Sequence, residues 1–323
     1  MRITSVQPKL ALPGGVIQIG VEGLSNPAEV EISIGGESAI PVAASPSRLT
    51  VRVPESPLGG QVEVTSGEDH DVAEITVGHL LVTDLHAVGN PVVDKEGKIY
   101  VTFSGTRGEK VPFSVFVIAS DGTKEPFLAE IMNPTGLAMG PDQCLYITSR
   151  HTGIAYRSTL DKRVEKYADG LGLATGLAFD SFGNLFVGDR GGRVYKVADD
   201  RSVSVFSELE PSISAYHFAM SADNHLYVTG PTLSTQDCIY KIRHDGEPHV
   251  VFRGLGRPQG MAFSPAGNLQ IAASYRGTKG VFTLANGGLE HTIAAPMMVG
   301  LAYSPDGSKL FLANNSSLFE LPV

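Results

Sequence analysis

One phrase returns six times along the chain, an apolar run, a Gly/Asp turn and a second apolar run, and it constrains the fold more than any other feature. The copies open at Gly89, Thr135, Thr175, Tyr216, Gln259 and Val299, which lie 46, 40, 41, 43 and 40 residues apart. A period near forty residues suits four-stranded propeller blades and lies outside the range of leucine-rich or short helical repeats. In the third copy the apolar runs fall at residues 176–180, 184–189, 192–198 and 203–209, with strand composition and turn residues between them. Glycines and Asp or Asn stand where tight hairpins need positive φ or a side chain that closes the turn. Six copies predict a six-bladed propeller.

The ends of the repeat region predict how the ring closes. The last copy stops after a third strand at Ser317 to Val323, while an unassigned apolar run, Leu80 to Leu85, precedes the first copy. If that run supplies the outer strand of the sixth blade, no sheet edge stays open and the chain is complete at its C-terminus.

Residues 1–78 do not share the phrase. They hold short alternating strands, IQIGVEG, VEISIGG, SRLTVRVPES and GQVEVTSG, as in a small antiparallel sandwich. The expected organisation is a sandwich over 1–78 and a propeller over 79–323, an all-β chain. The first stretch resembles the IPT/TIG immunoglobulin-like domain, through Pro8, Pro13-Gly14-Gly15, Gly23, Ile34-Gly35-Gly36, Ser47 to Val51 and Val53-Pro54. That resemblance implies a spacer or protein-binding module with no active site of its own.

With 42% hydrophobic and 18% charged residues the composition is that of an ordinary globular protein, and 37 glycines and 20 prolines lean it towards β structure. A net charge of −9 gives no electrostatic support to nucleic-acid binding. Met1-Arg2 leads straight into a strand without an apolar leader, and no run is long enough to span a membrane, so a cytoplasmic location is expected. Cys144 and Cys238 fall in the second and fourth repeats, which are not neighbours in a ring of six, so they are expected as buried thiols. The absence of Trp separates these repeats from WD-type blades.

In a propeller the residues opening each inner strand, and those following each second strand, gather at one mouth of the central channel. The expected ligand-binding set there is Arg107, Asn133, Thr135, Ser149, Arg150, Thr175, Arg190, Thr232 and Gln259. Arg107, Arg150, Arg190 and Arg276 recur at one phase of the repeat, and guanidinium forks suit carboxylate or phosphate. The plainer alternative is that Arg150 and Arg190 pair with local carboxylates such as Asp189. His217 stands where four other copies carry glycine, so His217, Tyr216 and Asp189 form the candidate catalytic set for acid-base work. The alternative for His217 is a histidine hydrogen-bonded in the channel wall. His86, His151 and His217 lack the local spacing of a metal site. The hydroxyl-rich stretch 229–237 is long enough to fold over the mouth, and the opposite face is expected to be inert.

Through Ala138-Met139-Gly140-Pro141-Asp142, residues 183–189 (GNLFVGD) and Ser304-Pro305-Asp306-Gly307, the repeats resemble the six-bladed gluconolactonase and regucalcin (senescence marker protein) family and the related NHL-repeat propellers. The resemblance implies a divalent metal at the mouth, held by Glu, Asn and Asp that open inner strands, which polarises a lactone carbonyl and activates water. The corresponding contexts here are Gly89-Asn90-Pro91, Ala174-Thr175-Gly176 or Pro134-Thr135-Gly136, and Pro258-Gln259-Gly260. None supplies a carboxylate, and a hard cation needs charged oxygen, so no cofactor is expected. The expected function is a propeller that binds a small polar or anionic molecule at its mouth, with a protein partner for the N-terminal domain. The alternative is a lactone or ester hydrolase with a rebuilt site.

Overall fold

A computed structural model describes all residues, 1–323, and the chain is all-β apart from one short 3₁₀ turn at Pro27–Glu29. Each copy of the phrase forms its own antiparallel run of paired strands, four in each of the first five copies and three in the last. In the third, the strands are Ala174–Phe179, Leu185–Asp189, Arg193–Val197 and Val203–Glu208, within two residues of the sequence expectation. Gly183 in its first turn takes φ 86°, and Asp180 accepts the backbone N–H groups of Phe182 and Asn184, so both turn residues act as their chemistry dictates.

The first strands, Val92–Val93, Pro134–Met139, Ala174–Phe179, His217–Met220, Met261–Phe263 and Gly300–Tyr303, touch one another in that order, and the last touches the first. Between every pair of neighbouring sheets lies a separate apolar core, including the pair formed by the last sheet and the first. Alternation along each strand sends one face to each neighbour, which is why the strands read as almost continuously hydrophobic.

The outer strand of the last sheet comes from upstream: His79–Val82 pairs antiparallel with Leu318–Pro322. It is shorter than the run Leu80 to Leu85. Asp84 takes φ 57° and ends the extended backbone, and the Thr83 and Asp84 carbonyls accept hydrogen bonds from Lys124 Nζ.

Residues before this strand form two facing four-stranded sheets. One orders Arg2–Gln7, Val16–Glu22, Arg48–Arg52 and Pro41–Ser45; the other orders Glu37–Ser38, Glu31–Ile34, Gln61–Ser66 and Asp69–Glu74. Ile17, Ile19, Leu49 and Val51 meet Ile32, Ile34, Val62 and Val64 in one core.

How this unit attaches is not legible in the sequence. Leu10–Ala11 pairs parallel with Ile293–Ala294 on the outer strand of the fifth sheet, and Thr76–Val77 pairs parallel with Leu10–Ala11 in turn. The fifth sheet therefore has six strands and runs into the N-terminal unit. Apolar packing follows it, with Ala294 inside the sandwich core and Leu12 inside the core between the fifth and sixth sheets. Gly15 lies against the Ala294 carbonyl so closely that a Cβ could not fit.

Candidate functional site

The second residue of the phrase governs the channel. Around the ring this column reads Asn90, Gly136, Gly176, His217, Gly260 and Gly300. A Cβ at Gly136, Gly176 or Gly300 would collide with backbone of the next sheet, and one at Gly260 would collide with Asn90 and Gly300. The glycines thus let inner strands touch backbone to backbone, and the channel narrows there. Asn90 completes the constriction from the first sheet: its Nδ2 donates to the Met261 carbonyl at 2.8 Å and its Oδ1 accepts from Leu301 N–H at 3.2 Å. The sequence reading singled out His217 as the exception to the glycine column and missed Asn90, the other exception, which stands three sheets away.

His217 is wholly enclosed at this level, beside a void of about 20 Å³, room for about one water. Burial lowers its pKa to about 4, opposed by the adjacent Gln259 side chain, so the ring is neutral at pH 7. Its Nε2 has no hydrogen-bond partner. Tyr216, the residue before it, is buried with its hydroxyl donating to the Glu210 carbonyl, and burial raises its pKa. Asp189 Oδ1 accepts the backbone N–H groups of Leu173 and Gly191. No hydrogen bond joins any two of these three side chains.

Above the constriction, several residues of the expected ligand set hold loops in place. Buried Asn133, at φ 46°, accepts Gly108 N–H at 2.7 Å and donates to the carbonyls of Gly105 and Thr106 at 3.2 and 2.8 Å, shaping the loop that carries Arg107. Thr135 donates to the Asn133 carbonyl, Ser149 to the Met132 carbonyl, and Thr175 to the Gly188 carbonyl. Thr232 bonds Asp237 Oδ1 through both its N–H and its hydroxyl at 2.8 Å, and Pro231 is tied to Ser212 and Ile213. The stretch 229–237 is therefore pinned to the neighbouring loop.

The arginines are a different case. Arg150 is half-buried, and its pKa is lowered first by burial and then by the positive fields of Arg190 and Arg107. Arg107 and Arg190 are exposed, and none of the three forms an ion pair. The pairing of Arg150 or Arg190 with Asp189, weighed in the sequence, is absent. Arg190 Nε instead donates to the Ser212 carbonyl at 3.1 Å, Arg150 Nη2 reaches the Gly105 carbonyl at 3.5 Å, and Arg150 Nε has no partner. Buried polar atoms are seldom left unpaired. Three of the six that are, on Ser104, Arg150 and His217, belong to residues at this end of the channel. Arg276, the fourth arginine of the phase, does not contribute to the field on Arg150 and lines a separate cleft against the N-terminal unit.

The opposite end of the channel is built differently. Below the constriction all six inner strands line a bowl of about 300 Å³, and fifteen of its seventeen lining residues are hydrophobic. The fourth residue of the phrase makes the room, reading Val92, Ala138, Ala178, Ala219, Ala262 and Ala302. Both cysteines are buried free thiols.

No three His, Cys, Asp or Glu residues are grouped to hold a metal. The positions matching the lactonase ligands, Gly89, Thr135 or Thr175, and Gln259, do not suit a divalent cation. No helix is long and apolar enough to cross a membrane.

No family model matches the chain, and no curated protein matches it. Solved structures do. A gluconolactonase from Xanthomonas campestris is 20% identical over 75% of this chain and 88% of its own, with a TM-score of 0.61. An auxiliary nutrient binding protein from Bacteroides thetaiotaomicron is 13% identical over 99% of this chain and 97% of its own, with a TM-score of 0.54. A virginiamycin B lyase from Staphylococcus aureus is 12% identical over 95% and 99%, with a TM-score of 0.55. At these identities the likeness is one of fold, and the chain is an all-β protein whose structural neighbours are gluconolactonase-like, lyase and nutrient-binding propeller proteins.

Proposed function

We propose that this chain is a binding protein, a six-bladed propeller joined to an immunoglobulin-like sandwich at about residue 78, which takes a small anionic molecule at the mouth bearing Arg107, Arg150 and Arg190. The observation that carries this reading is a half-buried Arg150 that feels the positive charges of Arg190 and Arg107, with no acid partner for any of the three, in a protein of net charge −9. Like charges held together in the unliganded state cost free energy, and a carboxylate or phosphate between them would offset that cost while completing the bonds of Arg150. The nutrient-binding neighbours, which match almost the full chain, agree with a binding role. A cytoplasmic location and a protein partner for the sandwich complete the proposal.

The lactonase and lyase neighbours keep a second reading open, a lactone or ester hydrolase using His217, Tyr216 and Asp189. Weighing against it, the Tyr216 hydroxyl and the Asp189 carboxylate are already engaged, and His217 lies in the constriction beside a void too small for a substrate.

Calorimetric titration with phosphate and citrate tests the binding reading. Arg150→Ala and Arg190→Ala should each weaken the tighter of the two by roughly 1.5 to 3 kcal/mol, the range for hydrogen bonds to a charged group. Binding that is unchanged in both variants would overturn it, and turnover of a lactone that disappears in His217→Gln would favour the hydrolase.

A further inference from the structure

A large cavity lies outside the channel. A cleft of about 680 Å³ separates the N-terminal sandwich from the outer strands of the fifth sheet. Its first wall is a row across three paired strands: Gln7 stands opposite Gln18, and Gln18 opposite Thr50. Side chains directly opposite on one face of a sheet lie about 5 Å apart, so this wall presents two amides and a hydroxyl in line. None of the three side chains has a hydrogen-bond partner within the protein. The second wall carries Arg276 and Glu290. Arg276 rests over the Tyr275 ring, and neither residue forms an ion pair or a side-chain hydrogen bond. Lys9, at the base, donates only to the Glu74 carbonyl at 3.1 Å.

Two surfaces that had merely been pressed together would pair these groups with each other. Here no side-chain hydrogen bond or ion pair crosses the cleft, although donors and acceptors of both kinds face one another. The walls cannot shift freely to meet, because the Leu10–Ala11 and Ile293–Ala294 strands fix them in one sheet. The spacing is therefore preformed, which removes much of the ordering cost of binding.

We propose that this cleft binds a neutral saccharide. The lining decides the class. Both signs of charge are present, so a ligand with one strong charge gains at one residue and loses at another. A carboxylate accepts two hydroxyl protons, while amides and a guanidinium donate to ring and hydroxyl oxygens, and adjacent sugar hydroxyls meet both demands. Only two of the twelve lining residues are hydrophobic, and none is Trp, Tyr or Phe, so recognition runs through hydroxyl groups. The volume lies in the range that encloses small organic ligands. The same chemistry is offered by a free oligosaccharide and by a chain end of a polysaccharide.

The test uses the full chain with maltotriose, cellotriose and xylotriose by calorimetry, and with the matching insoluble polysaccharides by retention. At least one trisaccharide or polymer should bind. Glu290→Ala and Gln18→Ala, both at exposed positions, should each weaken that binding about tenfold or more, the loss of one hydrogen bond to a charged group or of a bidentate amide. Circular dichroism and the melting temperature should match those of the parent protein. Retention on a polymer without binding of the free trisaccharide assigns the chain end as the source. The proposal is overturned if none of the six probes binds, or if binding survives both substitutions unchanged.

Discussion

The two ends of the central channel are made by the same six strands, yet one is polar and nearly closed while the other is apolar and open. Towards the mouth, backbone contacts at the glycine column leave a void of only about 20 Å³ beside His217, and the loops at that end carry three arginines without acid partners. At the far end, a ring of alanines leaves about 300 Å³ among Leu, Met, Phe and Val side chains. The difference rests on two columns of the repeat, glycine at the second position and alanine at the fourth. Small residues close a channel where they let backbones touch, and open it where strands have already splayed apart.

The strongest way to break this comparison is at the constriction. Gly176→Val places its Cβ 2.5 Å from the Tyr216 carbonyl, which is backbone and cannot yield. It should cost at least about 3 kcal/mol or prevent folding. Gly59→Ala, in open space, should shift the urea midpoint by an amount equivalent to within about 0.5 kcal/mol. Tolerance of Gly176→Val would mean that backbone contact does not close the channel.

His217 tests the same level through pH. Its folded pKa of about 4 lies below the unfolded value of 6.5, so between the two the unfolded chain holds a proton that the folded chain does not. Stability is full above pH 6.5 and falls as pH drops towards 4, by on the order of 2 to 3 kcal/mol. His291, also lowered by burial, acts in the same direction. Urea midpoints at pH 7 and pH 4.5 should show a smaller difference in His217→Gln than in the parent protein. An unchanged difference would place the histidine in water.

A smaller effect comes from treating the ends as a pair. Arg150→Met removes mutual repulsion at the mouth and should raise stability by up to about 1 kcal/mol while weakening phosphate or citrate binding. Ala302→Leu at the far end should change stability by less than about 1 kcal/mol, since new apolar contact offsets its crowding, and should leave anion binding unchanged. Loss of anion binding in Ala302→Leu would show that the ends communicate through the constriction.

Much of the scaffold was legible because strand periodicity and turn residues are local properties. The four strands of the third repeat were placed within two residues. The upstream outer strand was legible because an edge left open at Leu318–Pro322 demanded a partner. The two-residue strand Leu10–Ala11 was not, since its pairing with Ile293–Ala294 depends on nothing in its own neighbourhood. At the site, His217 stood out as a departure from a column, and Asn90 would have stood out by the same test had the first repeat been aligned one residue at a time. The roles of Asn133, Ser149 and Thr232 were hidden because a buried hydroxyl or amide that ties down a loop has the same letter as one that meets a ligand.

The last sheet joins His79–Val82 to Leu318–Pro322, so its outer strand is made early and its partners late. During synthesis that strand, and the edge of Leu10–Ala11 that faces Ile293–Ala294, must wait unpaired until almost the whole chain has emerged. Contacts of such long sequence separation form slowly, because the loop-closure entropy is lost before the contacts stabilise anything. The order of events is thus built into the closure: the first five sheets can form progressively, whereas the ring and the N-terminal seam form in one late step, and the exposed edges before it are where aggregation competes with folding.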